Sequence, residues 1–154
     1  MVFFPAWLWS WAPQTKLITT SYSEQLATRD AKRAFELMTS DWYRERWPDL
    51  EIIGGERASM QNYTNTQRGL RFSTPMNGAV TGFHAHGLVC DDPIKVQDLQ
   101  LGGDSAAAAL EKVRDKWDTT FSSRSAHPAT FTRIIIAQRL AVGDLSGVMI
   151  ERGA

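Results

Sequence analysis

Two short apolar runs stand out from an otherwise mixed chain. Leu88, Val89 and Cys90 follow Gly87 and end in Asp91, Asp92 and Pro93. Ile134, Ile135, Ile136 and Ala137 follow Thr132 and Arg133 and end in Gln138 and Arg139. Neither run alternates with polar residues, which predicts strands buried on both faces inside a parallel sheet. Lys16–Thr20 is a third strand candidate, rich in β-branched residues. Steps of three and four mark two helices. Leu26, Ala27, Ala31, Ala34, Phe35 and Met38 share one helical face, opened by Ser21 as cap with Glu24 reaching back. Arg29, Asp30, Lys32, Arg33 and Glu36 fill the remainder as a solvated face. Ala106, Leu110, Val113, Trp117 and Phe121 define the second helix, capped by Asp104 or Ser105.

The opening segment, Met1–Ala12, is apolar almost throughout. It is shorter than the ~20 residues that span a bilayer. It has no basic residue, as a secretory leader or a membrane-surface helix would carry. The pattern predicts a buried helix with Pro5 in its first turn and Val2, Phe3, Ala6, Trp7 and Trp11 on one face. Residues 51 to 81 are turn-rich. Glu56–Asn62 and Leu70–Thr74 are expected to pair as a hairpin around residues 62 to 69. Ile94–Gly103 and Ser122–Thr130 read as loops and Gly143–Gly147 as a turn. No repeat, low-complexity tract or linker divides the 154 residues, so one domain is expected. Strands alternating with helices predict a three-layer α/β arrangement.

Composition narrows this little. Hydrophobic content of 43% and charged content of 22% are those of a globular chain, and zero net charge gives no overall footprint for nucleic acid. The one cysteine, Cys90, excludes an internal disulfide and fits a reducing compartment. Among the six tryptophans, Trp42 lies with Tyr43 in an aromatic-basic stretch, Asp41–Asp49. Stacking on bases is one use of such a stretch; anchoring a loop to the core is the commoner one.

The chemistry concentrates at the two strand ends. Ligands of parallel sheets bind beyond the carboxyl ends of the strands. If the two apolar strands are neighbours, Asp91, Asp92, Gln138 and Arg139 converge there. One acid can hold Mg²⁺ through water, the second can orient an attacking water, and the polar pair can sense a terminal phosphate. The bland alternative is a strand running into an acidic turn. No G-x-x-x-x-G-K-[ST] loop occurs, and the spacing of Gly78 and Gly82 does not make one. His84 and His86 would face the same way on a strand, but no third ligand accompanies them, and two unrelated histidines are the simpler reading. Cys90 reads as core, and no Gly-x-Ser-x-Gly elbow supports a Ser/His/Asp site.

A series of motifs resembles the large terminase subunit of tailed phages and prophages. It comprises Ser21–Asp30, Ser40–Tyr43 with Trp47 and Pro48, Thr81 and Gly82, Asp91–Pro93, Gln138–Leu140 and Asp144–Gly147. The resemblance spans nearly the whole chain, through the series rather than any single motif. It implies part of a three-layer α/β P-loop NTPase of the additional-strand (ASCE) type, with a mostly parallel central sheet. It implies ATP and Mg²⁺ as cofactors, with Leu88–Asp91 as the Walker B strand, Asp91 on Mg²⁺ and Asp92 as catalytic carboxylate. Asp92 stands where ATPases at large place Glu, and its shorter side chain would set the water differently. Gln138, with Arg139 beside it, resembles the motif that couples hydrolysis to movement. Arg71, Arg124 and Arg139 are candidates for an arginine acting in trans.

The implied function is ATP hydrolysis that drives viral DNA through a portal into the procapsid, in the cytoplasm of the infected bacterial host. Double-stranded DNA, the portal protein and the small terminase subunit are the implied partners. The full-length protein is expected to form a homo-oligomeric ring and to carry a nuclease domain, and no membrane partner is implied. In this family the phosphate loop precedes the segment that Val2–Trp7 resembles, and the nuclease follows the ATPase domain. The chain is therefore expected to be the central and C-terminal part of the ATPase domain, inactive alone. His84 and His86, and the stretch Ala141–Gly143, depart from the family pattern. Two other functions stay open: a binding module or inactive remnant that contacts the small subunit or portal, and a related helicase-like or recombinase-like ATPase.

Overall fold

The computed structural model describes residues 1–54, 60–100 and 102–153. In chain order the elements begin with α1 (Phe3–Trp11), β1 (Lys16–Ser21), α2 (Glu24–Met38), α3 (Asp41–Arg46), β2 (Ile52–Ile53), β3 (Asn62–Asn65) and β4 (Leu70–Pro75). There follow β5 (Gly87–Asp91), α4 (Val96–Gln100), α5 (Gly103–Asp115), β6 (Thr132–Ile136) and α6 (Leu145–Glu151). Among the described residues six strands form one sheet in the order β2-β3-β4-β1-β5-β6. β4, β1, β5 and β6 are mutually parallel, and β2 and β3 add an antiparallel flank.

β1 is central and buried from Leu17 to Ser21. Its side chains alternate between two cores. Ile18 joins Leu88, Cys90, Val80, Trp117, Phe121 and Leu145 on one face. On the other, Ala6 and Trp9 of α1 pack with Ala34 and Met38 of α2, together with Tyr43 and Tyr63. Helices therefore cover both faces of a mixed, mostly parallel α/β sheet, as the alternating pattern predicts. No helix among the described residues is long and apolar enough to cross a membrane.

Several expectations are corrected. The cap of α2 is Ser23, whose Oγ accepts from Leu26 N at 3.2 Å, because β1 continues through Ser21 and pairs it with Pro75 and Asp91. Asp30 is buried rather than solvated. α1 buries Pro5, Ala6 and Trp9 while Phe3, Trp7 and Trp11 face outward, since an all-apolar helix offers no contrast by which to choose a face. α5 begins at Gly103 behind Gly102, with no side-chain cap. The first hairpin strand is Asn62–Asn65, inside the expected turn. The expected strand Glu56–Asn62 falls largely on residues outside those described. α4 lies within the expected loop and α6 follows the expected turn. β6 is an edge strand, and Thr132, Arg133 and Ile136 are exposed.

The aromatic-basic stretch does anchor to the core. Tyr43 Oη donates to Ala6 O at 2.8 Å, and burial pushes this phenol up to about 12. Trp42 remains outside beneath the Arg46 guanidinium.

Candidate functional site at the sheet's carboxyl edge

β5 and β6 are parallel neighbours, with Asp91 opposite Ile136. Pairing runs one residue further, because Asp92 N donates to Ile136 O at 2.8 Å. On its other side the Asp92 carbonyl accepts from Tyr22 N at 3.0 Å. Asp92 is thus pinned between the extensions of β1 and β6, in a left-handed conformation with φ of 45°. That conformation is costly for a non-glycine residue and persists where neighbours hold it. It ends the strand, turns the exposed Asp92 outward and leads into the buried Pro93. The two acids and the chain leading to Gln138 therefore lie at one edge of the sheet.

Asp91 is the less solvated of the pair. Burial raises its carboxyl above the ordinary carboxylate range, the N-terminal ammonium opposes that shift, and Asp92 and Asp30 add to it. The Met1 α-amino group lies 4.0 Å from Asp91 and 3.7 Å from Asp30, so the amino end of α1 reaches this edge. Beneath it, Thr19, Thr20, Asp30, Arg71 and Asp91 line a cavity of about 10 Å³. The Thr19 and Thr20 hydroxyls and Arg71 Nε have no partner among the described residues. The space suits about one water, which such polar walls would hold.

Arg139 pairs with Asp144. Its Nε donates to Asp144 Oδ1 at 3.0 Å and to Oδ2 at 3.2 Å. Asp144 also accepts from the backbone N–H groups of Leu140, Ala141 and Gly147, the last as N-cap of α6. Although burial opposes it, these donors hold the Asp144 carboxyl below its usual range. Gly147 is sterically required here: a Cβ would sit 2.2 Å from Val142 O and 2.7 Å from Arg139 Nη2. Arg139 thus fixes the path between β6 and α6, and Gln138 is exposed beside it.

Arg71 is fully buried. It donates to the Tyr63 hydroxyl at 2.7 Å and to the carbonyls of Asp30, Ala31 and Met1. A guanidinium in this position ties α1 and α2 to the sheet and is closed to a neighbouring subunit. Arg124 is held on Ser123.

His86 Nδ1 accepts from Lys16 N at 3.0 Å and its ring stacks on His127, whereas His84 is exposed. Among the described residues no group of three or more His, Cys, Asp or Glu is placed to hold a metal. Cys90 is core, with its thiol pushed up by burial.

Sequence reasoning missed Asp30 and Asp144 as organising acids. For Asp144 a signal exists: Asp precedes Leu145, Val148 and Met149 with an N-cap's spacing. For Asp30 none does, because its burial depends on α1 folding over α2.

No family model and no curated protein sequence matches the chain. Among solved structures, the N-terminal domain of the DNA packaging ATPase from bacteriophage phi29 is similar over 97% of this chain and 70% of that one, at 12% identity and a TM-score of 0.46.

Proposed function

We propose that this chain supplies part of the ATPase domain of a phage DNA-packaging motor of the terminase large-subunit kind. The observation that carries the reading is the parallel pairing of β5 and β6, continued by the Asp92 N to Ile136 O bond of 2.8 Å. It brings the two acids and the chain leading to Gln138 to the carboxyl edge of the sheet, where parallel sheets bind ligands, and this supports the reading. Asp91 and Asp92 fit Mg²⁺: they are hard oxygen donors, and Asp91 is partly desolvated at the strand end. Few carboxylates suffice, since Mg²⁺ bound with a nucleotide keeps waters and phosphate oxygens as its other ligands. When bound, the ion would neutralise charge on the phosphates.

In this reading Asp91 is the Mg²⁺ acid. Asp92, fixed by its backbone and outward-facing, orients the attacking water. Gln138 answers the terminal phosphate and passes the response along the tethered Arg139–Asp144 turn to α6. Hydrolysis also needs a phosphate cradle, which no Gly-Lys-Ser/Thr sequence here provides. The chain alone is therefore expected to bind Mg-ATP more weakly than micromolar, and calorimetry checks this. In the assembled motor, Asp91→Ala and Asp92→Ala should each lower packaging-coupled ATP hydrolysis at least about 100-fold. Full activity in both variants would overturn the assignment.

A second reading is favoured by a different observation. Phe3, Trp7 and Trp11 form an exposed aromatic face on α1, and Ile136 is exposed on edge strand β6. These surfaces fit a protein-docking module for the small terminase subunit or the portal. Capture of either purified partner without nucleotide would support it.

A further inference from the structure

We infer that the chain has a second ligand site, independent of the ATPase reading, for a nucleoside monophosphate unit. It is a cavity of about 660 Å³ beyond the carboxyl ends of β1, β4 and β5, between those strand ends and α5. The size is that of a small-molecule site, and the position is where parallel sheets bind ligands.

Two irregularities of the backbone border it. One is left-handed Asp92, directly before the lining residues Pro93, Ile94 and Lys95. The other is a six-residue π-helical turn, Lys116–Phe121, that continues α5. This turn sends Trp117 and Phe121 into the core while Lys116 and Thr119 line the cavity. π-Helical turns recur at functional sites because the extra residue re-aims its neighbours.

The lining has two chemistries. Tyr22, Met76, Ile94 and Val113 give an apolar and aromatic wall suited to a base. Lys95, Lys112 and Lys116 supply ammonium groups, and the ion pairs of the described residues engage none of them. Lys95 already sits over the Tyr22 ring, 5.6 Å from its centroid, so a cation and an aromatic face meet inside the cavity. Asp98, Glu111 and Asp115 line it as well, bringing its formal charge to zero. The lysines attract a phosphate locally, and the carboxylates beside them offset part of that attraction, which disfavours a more highly charged triphosphate. A base on Tyr22 with its phosphate on the lysines satisfies both halves. The unit can be a free nucleotide or an unpaired residue of a DNA strand.

The test is calorimetric titration of the chain with dAMP in EDTA, which removes the Mg²⁺ that the Asp91 site needs. Sub-millimolar binding is expected, weakened at least about tenfold by Lys112→Ala with Lys116→Ala and by Tyr22→Ala, but unchanged by Lys32→Ala on the far surface. The lysines are on the helix surface and their replacement should leave the circular dichroism intact. Ala109→Trp, which fills the cavity, should abolish binding. A short oligo-dT that binds more tightly than dAMP, with a steep salt dependence, identifies a strand residue as the occupant. Equal or weaker binding identifies the free nucleotide. No dAMP binding at about 5 mM, dATP binding far tighter than dAMP, or binding indifferent to the lysines would overturn the inference.

Discussion

β5 and β6 are adjacent and parallel, each carries an apolar run, and each leads into a polar pair. Yet Leu88 is 1% exposed and Ile136 is 52% exposed. The difference is one of neighbours. β5 has β1 on one side and β6 on the other, and its Leu88 and Cys90 meet Trp117 and Phe121. β6 is hydrogen-bonded along one side, leaving the other edge open among the described residues. The polar ends diverge in the same way. Asp91 and Asp92 are held in place by flanking backbone, whereas Arg139 is held by a side chain, the N-cap Asp144 of α6.

Three measurements sharpen the contrast. Leu88→Ala should destabilise the fold most, by about 2–5 kcal/mol, because the cavity it leaves is closed on all sides. Chemical denaturation reads this, and a cost under about 1 kcal/mol would mean that β5 is not the packed centre.

Asp144→Ala should cost about 2 kcal/mol through loss of the α6 cap and the Arg139 tie. The same tie predicts a pH response. The folded carboxyl is held below its ordinary value, so its stabilisation is complete above the unfolded carboxylate pKa of about 3.9. It is then lost as pH falls from there through the lower folded value. The wild type should lose its advantage over Asp144→Ala in that window, and a gap that stays constant with pH would count against the tie.

Ile136→Thr should change stability by less than about 0.5 kcal/mol, since the residue lies at an open edge. It should also reduce self-association in light scattering, because an exposed aliphatic edge strand invites pairing. A large loss of stability would show that something covers β6.

The apolar run and terminal acids of β5, the spacing of α2 and α5, and the alternation of the longer strands and helices were legible before folding was considered, because they follow from local period and composition; the short elements β3, α4 and α6 were not. The Asp91–Asp92 end was legible for the same reason: strand, acid and proline are contiguous. The all-apolar α1 was legible as a helix but not in orientation. Its period carries no polar face, and Trp9 is chosen by its Nε1 bond of 2.9 Å to Thr15 O and by Tyr63. Arg71 and Asp30 looked like ordinary charges on a strand and a helix. Burial by α1, β3 and β4 makes them interior groups.

By itself, then, the sequence determined the longer strands and helices and which strand ends carry acids, since those depend on a few adjacent side chains. Only the tertiary structure decided that β1 is central and β6 an edge. It also decided that Arg139 pairs with the N-cap of α6, and that Tyr22, Lys95 and the Lys112–Lys116 turn, far apart in the chain, border one cavity. These are consequences of long-range pairing, and no local period encodes them.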